Sequence, residues 1–207
     1  MTDELVFYTN PMSRGRIVRW MLEELGQPYR TEILDYGTTM KAPAYLAVNP
    51  MGKVPAIRHG DTVVTEAAAI CAYLADAFPE AKLAPPSGSR LRGPYYRWLF
   101  YGAGPIETAA MMKAFGFVVP EERKGMAGFG SMEDVLKTLE YAVSQSYLVG
   151  DSFSAADLYL GSHLAWGMQF GTIEKRPAFE RYVARLMVRP AAVRAREIDD
   201  ALMPKKD

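Results

Sequence analysis

One stretch constrains this chain more than any other: Gly52 to Leu74, GKVPAIRHGDTVVTEAAAICAYL. Val54-Pro55 opens a short apolar run through Ile57, His59-Gly60-Asp61 turns it, and Thr62-Val63-Val64-Thr65 resumes as a β-prone run. Two short runs joined by a Gly/Asp turn predict a β-hairpin. Glu66 then leads a run with Ala67, Ile70, Cys71, Leu74 and Phe78 on one face, the spacing of an amphipathic helix. A helix that begins directly off a strand presents backbone N–H groups and a positive dipole end, which suit a carboxylate. The residue before Pro55 is held extended, so the backbone of Val54 is set up to pair with a peptide. Plain strand–turn–helix scaffolding accounts for the same residues.

The order of the motifs carries a resemblance. Pro50-Met51-Gly52-Lys53-Val54-Pro55, then Glu66-Ala67-Ala68-Ala69-Ile70 and Tyr73-Leu74, resemble the glutathione-binding half of the soluble glutathione S-transferases. The resemblance implies a cis Val54-Pro55 bond, with the backbone of Val54 paired to the cysteinyl unit of glutathione. It also implies that Glu66 and the residue after it grip the γ-glutamyl end, with Lys53 and Lys41 balancing the glycyl carboxylate. Ala67 stands where the family usually has Ser or Thr, so this chain offers a backbone N–H there and no hydroxyl.

Upstream, Glu4 to Thr9 reads as a buried strand, and Asn10-Pro11 breaks it. Met12-Ser13-Arg14-Gly15-Arg16 leads into a helix through Leu25, with Gly26 placed to end it. Tyr29 to Leu34 alternates as a second strand, and Lys41 to Val48 is a short helical patch. Strand–helix–strand–helix–strand–strand–helix is the order of a thioredoxin-like βαβαββα domain, whose first two strands pair in parallel. We assign this domain to residues 1–78.

Residues 79–89, PEAKLAPPSGS, with three prolines and few apolar anchors, read as a linker. An all-helical domain is expected over 90–207. Arg90 to Phe115 is a long aromatic helix that should bend near Gly102-Ala103-Gly104-Pro105. Residues 118–130 form a loop, and Met132 to Tyr147 is amphipathic. In Phe153-Ser154-Ala155-Ala156-Asp157-Leu158, Ser154 and Asp157 make a capping box, with Phe153 and Leu158 as a hydrophobic staple. This opens a nearly all-apolar helix to about Phe170. Helices over Phe179 to Val188 and Ala191 to Leu202 close the chain.

Composition narrows the partners. Lys+Arg and Asp+Glu balance at 24 each, so no bulk field favours nucleic acid or an anionic membrane. Hydrophobic residues at 49% and charged residues at 23% suit a globular protein, and no apolar run approaches the ~18 residues that span a bilayer. A single cysteine, Cys71, excludes an internal disulfide and suits a reducing compartment. With no basic, apolar leader in MTDELVFYTN, the expected location is cytoplasmic. Cys71 sits on a core face, His59 in a turn and His163 in the central helix, and their spacing holds no metal site.

The resemblance implies glutathione as co-substrate and transfer of its thiolate to a small hydrophobic electrophile. A thiol of free pKa about 8.5 needs help to ionise near neutrality. Ser13, where the first helix begins, is similar in placement to the catalytic serine of the theta- and zeta-like branches, and its hydroxyl would donate to the sulfur. A plain helix cap explains the same serine. Tyr8 and Asn10 are rivals for the role, and Arg14 and Arg16 are candidates to attract the anion. For the electrophile, Met12, Tyr101, Met111, Met112, Phe115 and Trp166 are the apolar candidates. Pro55, Ser154 and Asp157 are structural. A homodimer is expected, with Tyr95, Tyr96, Trp98 and Phe100 as its face. A glutathione-dependent isomerase, dehalogenase or peroxidase, or a non-catalytic binding protein on the same scaffold, stays open beside the transferase.

Overall fold

The computed structural model describes residues 3–203. The chain forms two compact units, one built from the chain up to Ala81 and again from Val188 onward, the other from Lys82 to Met187.

The first unit is a four-stranded sheet in the order β2-β1-β3-β4, with β1 Leu5–Thr9, β2 Arg30–Ile33, β3 Ala56–His59 and β4 Thr62–Thr65. β1 runs parallel to β2, so the helix α1, Gly15–Leu25, is the crossover that parallel pairing requires. β3 returns antiparallel to β1, and β4 antiparallel to β3, as the expected hairpin. The helical patch before the hairpin is a 3₁₀ turn, Thr39–Lys41, and a single α-turn, α2, Pro43–Leu46. α3, Ala67–Ala77, buries Ala67, Ile70, Cys71 and Leu74, the face its spacing predicts. The thioredoxin-like order is therefore as expected.

The last helix in the chain belongs to this unit by packing. α9, Pro190–Ala201, lies along α1 and buries Ala191, Ala192 and Ala195. Those small side chains let two helices approach closely, and ion pairs then tie them together. Arg189 forks onto Glu24 at 2.7 and 2.9 Å, and Arg19 donates to Asp199 at 3.2 Å. The sequence carries no local sign of this, because the partners lie more than 160 residues apart.

The second unit is helical. α4, Arg92–Tyr101, passes through a π-helical turn, Gly102–Ile106, into α5, Glu107–Phe115. The expected bend is this π turn, and Pro105 inside it removes a ladder donor. Gly102 faces Tyr159 so closely that a Cβ would lie 2.7 Å from its ring. α6, Met132–Ala142, ends five residues short of the expected Tyr147. The Ser144-Gln145-Ser146 run that follows is poor helix material, and the Ser144 hydroxyl bonds back to Tyr141 O. α7, Ala155–Phe170, is the buried axis, and α8, Pro177–Met187, follows it. Within the expected linker Leu83 is an anchor: it is buried, and its carbonyl accepts from Ala155 N–H at 2.7 Å.

The capping box is present, and Asp157 does more than close it. One carboxylate oxygen accepts from Ser154 N–H and its hydroxyl, each at 2.9 Å. The other accepts from Leu148 N–H at 2.8 Å and from the Tyr182 hydroxyl at 2.7 Å. Asp157 is fully buried, and it joins the loop before α7, α7 itself and α8. Burial nevertheless outweighs these bonds and raises its carboxyl pKa above the usual value.

Two further expectations change. Tyr95 and Trp98 are core residues of the helical unit, so of the aromatic face expected on α4 only Tyr96 and Phe100 are exposed. His59, expected in the turn, is the last residue of β3 and half-buried, with its Nδ1 2.9 Å from the Tyr73 hydroxyl.

Candidate active site

Strand register brings the expected segments of the first unit to one end of the sheet. Tyr8 pairs with Ala56, and Ala56 pairs with Thr65. One residue row therefore lies next to three exits: the loop after Thr9 that holds Ser13, the Val54-Pro55 turn before β3, and Glu66 leading into α3. Helices α1 and α3 both begin at this end. Their aligned peptide dipoles favour negative charge there.

The first exit is tightly bonded. Asn10 Nδ2 donates to Leu34 O, and its Oδ1 accepts from Met12 N–H, each at 2.9 Å. The Ser13 hydroxyl donates to Asn10 O at 2.7 Å and accepts from Gly15 N–H at 2.9 Å. Ser13, one residue ahead of the N-cap Arg14, thus holds the first N–H of α1, and it is buried. Asn10 thus ties the loop to the residue after β2, one amide N–H and its carbonyl serving as scaffold. Tyr8 packs against Tyr45, ring centroids 5.5 Å apart, beside Met40 and Ala56. Met12 is exposed. Arg16 is committed inside the protein: Nε donates to Pro11 O at 2.6 Å and Nη1 to Asp200 at 2.7 Å.

The second exit is set by residues that sequence reasoning passed over. The Tyr45 hydroxyl and Asn49 Nδ2 both donate to Lys53 O, at 2.6 and 2.8 Å. Their i, i+4 spacing around α2 aims both at one carbonyl, a signal that only becomes readable once the helix is placed. Burial pushes the Tyr45 phenol up to about 12, so it stays a donor. Val54-Pro55 is cis, as the resemblance implies. Gly52 has φ +54°, and a Cβ there would lie 2.8 Å from Met40 O, so the turn requires glycine. Lys53 is exposed. Lys41 is exposed too, but its Nζ donates to Met51 O at 2.9 Å and so braces this turn.

The third exit is strained. Glu66 takes φ +65°, a left-handed conformation that a non-glycine residue adopts at a cost of about 1–3 kcal/mol. It is exposed, and Ala67 behind it is buried. The N–H groups of Ala67 and Ala68 lie in the first turn of α3, where a helix supplies no carbonyl of its own. No signal in the sequence announces positive φ at a glutamate.

The other candidates lie in the second unit. Met111 and Phe115 are exposed one helical turn apart on α5, and Phe115 stacks edge-on against Phe117 at 6.0 Å. Met112 and Trp166 are half-buried, on α5 and α7. Tyr101 is half-buried and edge-on to Trp98 at 5.8 Å. Burial raises its phenol pKa, opposed by its side-chain hydrogen bond with Thr138 on α6. His163 is buried in α7, 3.7 Å from Glu107. Burial pushes the Cys71 thiol up to about 12, which makes it an inert core group.

Known proteins align with both halves. Residues 12–77 match the glutathione S-transferase N-terminal domain, and residues 106–190 match the C-terminal domain. Glutathione S-transferase GstA of Escherichia coli O157:H7 is 32% identical over 161 residues, 76% of each chain. A glutathione transferase of Methylococcus capsulatus superposes with a TM-score of 0.79 at 32% identity, covering 95% of this chain and 99% of that one. A sphingomonad glutathione S-transferase solved with glutathione gives a TM-score of 0.75 at 28% identity, covering 94% and 98%. With its sheet order, its two matched domains and these relatives, the chain belongs to the glutathione S-transferase family.

Proposed function

We propose that this protein conjugates the thiolate of glutathione to small hydrophobic electrophiles. The observation that carries the reading is the single residue row, Tyr8–Ala56–Thr65, that sets three ligand-competent exits at one sheet end. The Val54 backbone would pair with the cysteinyl unit, and Glu66 with the Ala67 N–H would hold the γ-glutamyl group. Lys53 would face the glycyl carboxylate, whereas Lys41 acts on the Met51 carbonyl. The Ser13 hydroxyl would turn from Asn10 O to the sulfur while still accepting from Gly15 N–H. This reading gives the theta- and zeta-like role to Ser13, supported by its hydroxyl at the start of α1, over Asn10, whose amide braces the loop, and Tyr8, which packs against Tyr45.

For the electrophile the apolar candidates are Met12 in the first unit and, in the second, exposed Met111 and Phe115 with half-buried Tyr101, Met112 and Trp166. A homodimer would use Tyr96 and Phe100. Among the described residues no helix is long and apolar enough to cross a membrane. A cytoplasmic location fits an inert, buried thiol.

Ser13→Ala tests the assignment. A charge-assisted bond to the thiolate contributes about 1.5–3 kcal/mol, so turnover should fall about ten- to a hundredfold. Glutathione affinity should change little, because the carboxylate grips lie on other segments. Activity should persist at a low level through the dipole of α1. Unchanged turnover with a lowered melting temperature would return Ser13 to a capping role alone.

A further inference from the structure

We propose that Asp200, on the C-terminal helix α9, is a positioning residue for the Ser13 loop, acting through Arg16. The inference rests on Ser13 as the thiol-orienting group. Arg16 is the second residue of α1, and its guanidinium bridges two groups: Nε to Pro11 O at 2.6 Å and Nη1 to Asp200 Oδ1 at 2.7 Å. These donors sit in one rigid plane, so fixing one fixes the aim of the other. Pro11 has no N–H, and its carbonyl is the handle by which the loop is reached from outside. Two residues on, Ser13 closes the same loop onto Asn10 O through both its N–H, at 3.0 Å, and its hydroxyl. A shift of Pro11 therefore moves the acceptor and the cap that set where the Ser13 hydroxyl points.

α9 is held in place without this contact. Its neighbouring Asp199 pairs with Arg19, one turn after Arg16 on α1, and Arg189 forks onto Glu24 at the far end. Asp200 itself is 57% exposed, and an ion pair that open adds little stability. Its geometry is better suited to orientation than to holding the fold. The same pairing withdraws Arg16 from attracting a ligand carboxylate.

Amide exchange at Met12, Ser13 and Gly15 in the full-length protein without glutathione reads the loop directly. It is paired with ultraviolet titration of the thiol of bound glutathione. Asp200→Asn should speed exchange at these amides about three- to fivefold, within the range of an exposed pair, with the melting temperature nearly unchanged. Arg16→Gln should speed it more, because it loses the Pro11 bond as well. Both should move the thiol titration in the direction of Ser13→Ala, but less far. The charge swap Arg16→Asp with Asp200→Arg should restore any lost stability and leave exchange fast, since aspartate has no donor for Pro11 O. Wild-type exchange in Asp200→Asn, or full rescue of exchange by the swap, would overturn the proposal. Fast exchange with an unmoved thiol titration would also overturn it, provided Ser13→Ala moves that titration. If Ser13→Ala itself leaves the titration unmoved, the role of Ser13 fails and the proposal falls with it.

Discussion

Replacing Asp157 by alanine should lower the stability of the helical unit by about 3–5 kcal/mol. The carboxylate is fully buried and accepts from four donors: two on Ser154, the Leu148 N–H and the Tyr182 hydroxyl. Alanine fills part of the space and answers none of them, so each buried donor keeps its desolvation cost. Ser154→Ala removes only one of the four and should cost about 1 kcal/mol, the usual loss of a cap. Thermal melting of the two variants should rank them in that order, and equal losses would mean that Asp157 is only a cap. Ionisation adds a pH signature. Because burial raises the folded pKa of Asp157 above its unfolded value, its contribution is full below the ordinary carboxylate value. It is then lost as pH rises through the folded value. Asp157→Asn should remove that part of the stability–pH curve.

Asp199→Ala should cost a similar amount, about 3–5 kcal/mol, for a different reason. Arg19 is 2% exposed, wedged between the Phe7 ring at 4.9 Å and the Tyr29 ring at 5.4 Å. Its Nη1 keeps bonds to the Tyr29 hydroxyl and Thr31 Oγ1, but both partners are neutral. Without Asp199 a buried guanidinium is left with no counter-charge. The double variant Asp199→Ala with Arg19→Met should recover most of the loss, because an apolar pair of similar volume has no charge to desolvate. Denaturant unfolding of the single and double variants measures this, and a double variant as weak as Asp199→Ala would show that packing, not charge, carries the cost. The adjacent Asp200, exposed, should show no such penalty.

What could be read from sequence was what is local or periodic. The hairpin, α3 and the Ser154–Asp157 box each lie within a few residues, so spacing alone finds them. Ser131 and Asp134 form a second capping box at α6, with bonds of 2.6 to 3.2 Å, and the S-x-x-D pattern was there to be read. The second half of Asp157's role was not legible, since Tyr182 is 25 residues away and Leu148 sits in a loop. The α1–α9 pairing was further out of reach: adjacent aspartates match arginines about 180 residues earlier, and no pattern in either segment names the other. At the site, the cis Val54-Pro55 bond is what the resemblance implies, whereas the positive φ of Gly52 was not foreseen. Nor was the positive φ at Glu66, because side-chain type gives no warning where tertiary structure forces the backbone. Tyr45, in the expected helical patch, and Asn49, just after it, carry no sign in the sequence that both hold one carbonyl.

The most direct test of the central claim is the titration of glutathione bound to the wild-type protein, followed by the ultraviolet absorbance of its thiolate. If the sheet end that carries Ser13, Val54 and Glu66 binds and activates glutathione, the bound thiol should ionise well below its free value of about 8.5. Conjugation of an aryl halide should then follow the same curve with pH. A bound thiol that titrates at the free value, or a protein that takes up no glutathione at all, would contradict the account.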